Sequence, residues 1–242
     1  MVYWNNKLGK YRALRNDAEL ARHLPRTFVS SRTNVQRMLA KHKAVYLKPN
    51  HGTGGFGIYK LSRGDRGYRL QNGTRSRSFD TFDGAYAVFM KGAMKKTYLV
   101  QKCIPLLRYK GRPFDLRIMV QRNDRGKWDV TGMVGRLARP HKIVTNYHNG
   151  GKPMPVRELL SPHIPAAKQD PYLKRLNSLS LRISTHLKRF FPRFRAYGVD
   201  LGIDEHMVPW IIEVNTRPDK YIFNALKDKR MFRKILRYGR LR

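Results

Sequence analysis

Residues 197–215 read YGVDLGIDEHMVPWIIEVN, and two strands follow from that string. The segments 197–203 and 208–214 alternate or run apolar on either side of the polar turn Asp204-Glu205-His206-Met207, the pattern of an antiparallel hairpin. Side chains two apart on a strand share a face, so Glu213 and Asn215 point the same way. Pairing across the turn joins even-numbered residues of one strand to odd-numbered residues of the other, which brings Asp200 to that face. Two carboxylates and an amide oxygen around one point make a hard-oxygen site, of the kind that holds Mg²⁺ when substrate phosphates supply further ligands. Soft metals are not suggested. The bland alternative is a polar sheet face in water, but Trp210, Ile211, Ile212 and Val214 mark a buried strand, where an unpaired carboxylate is costly.

Working outward, Asp170 suits a helix cap and Pro171 a first turn, and Leu173, Leu176, Ile183, Leu187 and Phe190 recur at helical spacing until Pro192 closes the helix. Segments 116–121 and 128–137 flank Asn123-Asp124-Arg125-Gly126, a turn sequence that predicts another hairpin. Nearer the start, Asn16 or Asp17 caps a short helix ending before Pro25, and Thr33 or Asn34 starts one that runs through Lys41. Segments 45–49, 57–61, 68–70 and 97–103 read as strands and 82–90 as a short helix. With no internal repeat or low-complexity linker, the expected class is α+β.

Between two of those strands lies Lys48-Pro49-Asn50-His51-Gly52-Thr53-Gly54-Gly55-Phe56-Gly57-Ile58. Its glycines let backbone N–H groups approach a phosphate, and Lys48 adds a point charge at the strand end. The Gly-Lys-Ser/Thr of a P-loop is missing and no helix follows directly, so the Walker and Rossmann readings fit poorly, and a flexible turn is the bland alternative. A third set comprises Pro113-Phe114-Asp115-Leu116-Arg117, then Gly135-Arg136-Leu137-Ala138-Arg139, then Thr145-Asn146-Tyr147-His148-Asn149-Gly150-Gly151. Asp115 and Arg117 share a strand face, and arginines beside a hard cation and a Gly-rich loop are suited to offsetting charge in phosphoryl transfer. In so basic a chain the alternative for each is a surface charge.

The 242 residues include 51 Lys or Arg against 16 Asp or Glu, a net charge of +35, which points to a polyanionic partner such as an acidic polypeptide or a nucleic acid, or else to a solvated surface. The charge is densest over 226–242, where eight basic residues face Asp228 alone. Phe232, Ile235 and Leu236 would dock one face of a helix there, leaving Lys227, Lys229, Arg230, Arg233, Lys234, Arg237 and Arg240 outward. A 41% hydrophobic content argues against disorder, no window approaches a membrane span, and the opening Met1-Val2-Tyr3-Trp4-Asn5-Asn6-Lys7 has no apolar leader, so a soluble, cytoplasmic protein is expected. Cys103, the sole cysteine, excludes an internal disulfide and a cysteine-based metal cluster.

The order of these motifs resembles the ATP-grasp superfamily: a strand with Lys-Pro, a Gly-rich hairpin, Val100-Gln101-Lys102-Cys103-Ile104, Asp115-Leu116-Arg117, Arg136, Thr145-Asn146, Gly198-Val199-Asp200 and Glu213-Val214-Asn215. Leu24-Pro25-Arg26-Thr27, Tyr46-Leu47-Lys48-Pro49, Phe114-Asp115-Leu116-Arg117 and Trp210-Ile211-Ile212-Glu213-Val214-Asn215 look most like the endospore-coat-associated YheC/YheD branch, and more distantly like RimK-type glutamate ligases. The similarity covers about 4–226.

The resemblance implies an ATP-grasp fold with ATP and Mg²⁺ between two α+β lobes: linker helices over 1–44, a smaller lobe over about 45–103, a larger one over about 104–226 with the metal site, and a basic tail over 227–242. It places Lys48 on the ATP phosphates, with Lys7 as a second lysine, and makes Gly54, Gly55 and Gly57 a lid. Gln101, Lys102, Cys103 and Ile104 form the adenine hinge, with Asp115 near the ribose. Arg117, Arg136 and Asn146 lie by the transferred phosphate, Arg217 orients acceptor or phosphate, and Asp200, Glu213 and Asn215 bind one or two Mg²⁺, or Mn²⁺ in its place. Lys102 stands where the related glutamate ligases usually carry an acid, and the resemblance implies a start at the linker before the ATP-binding lobe, which leaves the acceptor pocket unspecified.

The implied reaction is ADP-forming ligation, in which ATP activates a carboxylate as an acyl phosphate that an amine then attacks, with an acidic peptide or polymer as acceptor. A non-catalytic nucleotide-binding structural protein, associated with the spore or coating an anionic polymer, is the alternative. A small-molecule kinase is the third reading.

Overall fold

In the computed structural model, which describes residues 2–93 and 96–241, each lobe is built on one antiparallel sheet. Met1 and Arg242, read above in the opening segment and the basic tail, lie outside the described residues. Two helices lead, Lys7–Arg15 (α1) and Ala18–Arg22 (α2); the Asn6 side chain caps the first and the Asp17 side chain the second. The chain then crosses to the smaller lobe through strand Thr27–Val29 (β1) and helix Arg32–Lys41 (α3). Ser31, two or three residues before the expected start, caps α3 by accepting from the Asn34 N–H at 3.1 Å.

Strands Ala44–Pro49 (β2), Tyr59–Gly64 (β3), Gly67–Asn72 (β4) and Arg75–Phe79 (β5) follow, then helix Phe82–Ala93 (α4) and strand Tyr98–Lys102 (β6). Their spatial order is β1-β6-β2-β3-β4-β5. Val35, Leu39, Val45, Leu47, Phe82, Phe89 and Val100 form the core between this sheet and helices α3 and α4. Two strands of this sheet escaped the sequence reading. β5 is almost wholly exposed and carries no apolar alternation, and β1 has three residues.

The larger lobe contains Arg108–Tyr109 (β7), Arg112–Arg122 (β8), Trp128–Leu137 (β9), Lys152–Met154 (β10), helices Val156–Leu160 (α5) and Ala166–Lys188 (α6), then Ala196–Ile203 (β11), Pro209–Asn215 (β12) and helix Arg230–Gly239 (α7). Its sheet order is β10-β9-β8-β11-β12, with β7 on β8. The long helix starts four residues before Asp170, so Asp170 is not its cap and Pro171 lies inside it. A proline so near the start forfeits one hydrogen bond of the first turns, and Asp170 instead pairs with Arg157 of α5.

Strand parity sorts this sheet's faces. Leu116, Ile118, Val120, Val199, Leu201, Ile211 and Val214 face helices α1, α2 and α6 in the main core. The alternate positions Asp115, Arg117 and Met119 of β8, with Val134 and Arg136 of β9 and Asp200 of β11, face the other way. At one end of that face Met119 and Val134 pack under Phe223 and Ile235 of the C-terminal segment. The other end carries the charged residues.

Candidate functional site

The hairpin β11–β12 does not pair as simple counting predicts. Near the turn, like parity meets like, Leu201 opposite Ile211. A bulge between Asp200 and Leu201 then shifts the register, so that Asp200 stands opposite Glu213 and Gly198 opposite Asn215. The expected even-to-odd pairing therefore holds only beyond the bulge. Removing the bulge would turn Glu213 and Asn215 to the opposite face.

Around this hairpin the buried charges interlock. Asp115 accepts from Arg136 Nε at 2.8 Å and Nη2 at 2.6 Å, and from Thr145 Oγ1 at 2.7 Å. Arg136 Nη2 lies 3.0 Å from Asp200 Oδ2, and Arg117 grips both Asp200 oxygens. Asn215 Nδ2 lies 3.5 Å from Asp200 Oδ2. Burial pushes the Asp200 carboxyl up, yet Arg117 and Arg136 overcome it and hold the group below its ordinary range. Burial likewise opposes the Arg136 charge, and Asp115 and Asp200 more than restore it.

The smaller lobe and the N-terminal helix bring further cations. The Asn50 carbonyl accepts from the Lys7 N–H at 3.2 Å and its side chain from the Leu8 N–H at 3.0 Å, so the end of β2 anchors the start of α1. Lys7 Nζ consequently reaches Glu213 Oε1 at 3.2 Å and the Gly52 carbonyl at 2.6 Å. Lys48 Nζ donates to Gln101 Oε1 at 2.5 Å, and Gln101 Nε2 donates to Thr27 Oγ1 at 3.0 Å. Burial lowers the Lys48 ammonium to about 8, with Glu213 opposing the fall and Lys7 adding to it.

The Gly-rich loop meets the segment after β9. Asn149 Nδ2 donates to the Gly54 carbonyl at 2.5 Å. Gly55, at φ +78°, lies so close to the Asn146 amide that a Cβ would strike it, so glycine is required there on two counts. The same segment touches the smaller lobe twice more, where Ile143 and His141 carbonyls accept from Tyr46 Oη at 3.0 Å and Gln71 Nε2 at 2.8 Å.

Between the lobes these contacts enclose a cleft of about 680 Å³, lined by Lys7, Lys48, Gln101, Lys102, Ile104, Asp115, Arg136, Asn146, Asp200 and Glu213. Beside it a second opening of about 700 Å³ shares Arg136, Asn146 and Glu213 and adds Gly54, Arg117, Asn215 and Arg217. Gly57 shapes the loop at φ +69°, and Cys103 lines a wider groove that adjoins the cleft. At the segment read as a hinge the Lys102 and Cys103 N–H groups are spent on the Arg26 and Ala44 carbonyls, and Ile104 lines the cleft. Lys102 Nζ lies over the Trp210 ring at 5.2 Å.

Sequence reasoning passed over two contributors. Tyr46 shares the Lys48 face of β2 and lines the cleft, which parity signals. Lys10 lies one helical turn beyond Lys7, and burial lowers its ammonium while Glu213 opposes the shift.

The family model described as YheC/D like ATP-grasp matches residues 2–240. The chain belongs to that family. This YheC/D-like ATP-grasp chain is 29% identical over 229 residues to the endospore coat-associated protein YheD of Bacillus subtilis strain 168, covering 90% of this chain and 49% of that protein. It is 24% identical over 204 residues to YheC of the same organism, covering 82% and 55%. The chain thus spans about half the length of these relatives. Among solved structures it resembles the D-cycloserine synthetase DcsG, at TM-score 0.57 and 11% identity over 96% of this chain and 71% of that one. It also resembles the N5-carboxyaminoimidazole ribonucleotide synthetase of Thermotoga maritima, at TM-score 0.53 and 12% identity over 98% and 49%. Those likenesses show the ATP-grasp fold, which is the α+β class expected above. Among the described residues, no helix is long and apolar enough to cross a membrane.

Proposed function

We propose that this chain is the ATP- and Mg²⁺-dependent unit of an ADP-forming carboxylate–amine ligase. The observation that carries the reading is the meeting, in one cleft, of Lys48 from the smaller lobe, Lys7 from α1, and Arg136, Asp200 and Glu213 from the larger lobe. Lys7, Lys48 and the loop over 52–57 would bind the nucleotide phosphates, and the Ile104 end of the hinge the base. Arg117, Arg136 and Asn146 stand where the transferred phosphoryl group would lie, and Arg217 lines the adjoining opening from which a carboxylate would enter.

Among the described residues no three His, Cys, Asp or Glu side chains converge as a metal site. The acid pair Asp200 and Glu213, completed by the Asn215 amide, nonetheless has the hard-oxygen chemistry that suits Mg²⁺ sharing phosphate oxygens. Asp200 would join that set only as a guanidinium turns from it toward phosphate. Mg²⁺, when bound, supplies neutralisation of the phosphate charge. Carboxylate attack on the terminal phosphorus would release ADP, and an amine would then displace phosphate and lose a proton to leave an amide. No side-chain nucleophile is required.

A place at the endospore coat is proposed from the two relatives. The test is incubation with ATP, Mg²⁺ and a panel of acidic peptides and amino acids, with ADP, AMP and product mass read together. ADP with a product equal to acceptor plus amine minus water supports the ligase. A phosphorylated acceptor would replace it with the kinase reading. Nucleotide binding without turnover on any acceptor would favour the structural role, for which the double arginine grip on Asp200 is the observation in its favour.

A further inference from the structure

Adjoining the nucleotide cleft, with which it shares Tyr46, Lys102 and Ile104, runs a groove of about 2460 Å³ that is open to solvent and whose basic walls no step above uses. Its smaller-lobe wall carries Lys41, Lys43, Lys60 and Lys102, and its other wall Arg108, Lys110 and Arg112 from the β7–β8 hairpin. Arg139 and Lys142 also line it, and Glu205 is the single carboxylate among the described lining residues. Among the described residues none of these nine cations has a carboxylate partner. Arg108, Arg112 and Lys142 donate to carbonyls, and Lys102 and Lys110 lie over aromatic rings. His42 Nε2, also in the lining, is buried without a hydrogen-bond partner.

Cations concentrated between low-dielectric walls repel one another and focus a positive potential, and a bound polyanion relieves that repulsion. The basic tail differs. There Asp228 pairs with Arg230, so part of the charge is offset by a carboxylate of the tail itself.

We infer that this groove docks an acidic polypeptide segment, whose carboxylates pair with the lysines of both walls. The cations come from five separate segments of the chain, 41–43, 60, 102, 108–112 and 139–142, which fits an extended chain better than a compact anion. A single-stranded nucleic acid fits less well, because such sites stack bases on aromatic faces. No Trp or Phe lines the groove, its tyrosine, Tyr46, is tied through its hydroxyl to Ile143, and the exposed aromatics Trp4, Phe56, Tyr147 and Tyr221 lie elsewhere. Binding here is independent of the ligase reading and is measured without nucleotide.

The test is fluorescence anisotropy of a labelled Glu-rich peptide with the full chain and two variants that lose equal charge. Replacing Lys41, Lys43, Lys60 and Lys110 with Gln should weaken binding about tenfold or more and flatten its salt dependence. Replacing Lys227, Arg233, Arg237 and Arg240 with Gln should change it less than about threefold, the effect of net charge alone. Circular dichroism and ADP affinity should be the same in all three proteins. Wild-type affinity in the groove variant, or an equal loss in the tail variant, would overturn the assignment. An oligonucleotide of equal charge that binds more tightly than the peptide, and loses that binding in the groove variant, would overturn the partner class.

Discussion

Replacing Lys48 with Met should invert the order of stabilities between neutral and alkaline pH. Burial lowers this ammonium from its ordinary 10.5 to about 8. At roughly 1.4 kcal/mol per pH unit, keeping it charged in the folded protein costs about 3 kcal/mol below pH 8. The unfolded chain binds more protons than the folded one between pH 8 and 10.5, so the wild type gains stability as pH rises through that window and the cost is absent above it. Methionine removes the charge but strands the Gln101 oxygen that accepted from Lys48, a loss of about 1–3 kcal/mol. Near neutral pH the variant should therefore be equal to or up to about 2 kcal/mol more stable than wild type, and near pH 10.5 about 1–3 kcal/mol less stable. Urea denaturation of both proteins at the two pH values reads the difference directly, while calorimetry should show weaker ADP binding by the variant. Parallel stability profiles, with the variant lower by the same amount at both pH values, would refute the argument.

Asp115→Asn leaves Arg136 with only Asp200 among its buried carboxylates, and should cost about 3 kcal/mol, the low end for a broken buried pair, by chemical denaturation. Glu213→Gln should weaken ADP binding in the presence of Mg²⁺ by about tenfold or more while leaving Mg²⁺-free binding nearly unchanged, as measured by calorimetry. Limited proteolysis within 50–58 should slow when MgATP is added, because the loop already leans on Asn146 and Asn149 and would close further over phosphate.

Much of this arrangement was legible from residue types, because strand parity is a strict rule. Alternation along β8 placed Asp115 and Arg117 on one face, and Glu213 and Asn215 followed from their spacing on β12. The partner of Glu213 required a bulge, and a single inserted residue leaves no compositional trace in an apolar run such as Ile211-Ile212. The double grip on Asp200 was equally hidden, since Arg117 and Arg136 come from strands 83 and 64 residues away in sequence. Strand β5 escaped because its side chains face water, so no hydrophobic period marks it. The start of α6 was misplaced because capping preferences favour Asp170 locally, whereas the core positions on its inner face tolerate one missing hydrogen bond at Pro171.

Hydrogen exchange with and without MgADP tests most directly the claim that elements of both lobes and α1 close on one nucleotide. The account predicts simultaneous protection of the loop over 52–57, the hinge over 101–104, the start of α1 and strand β12, with α7 unchanged. Protection confined to one lobe, or centred on the basic tail, would contradict it.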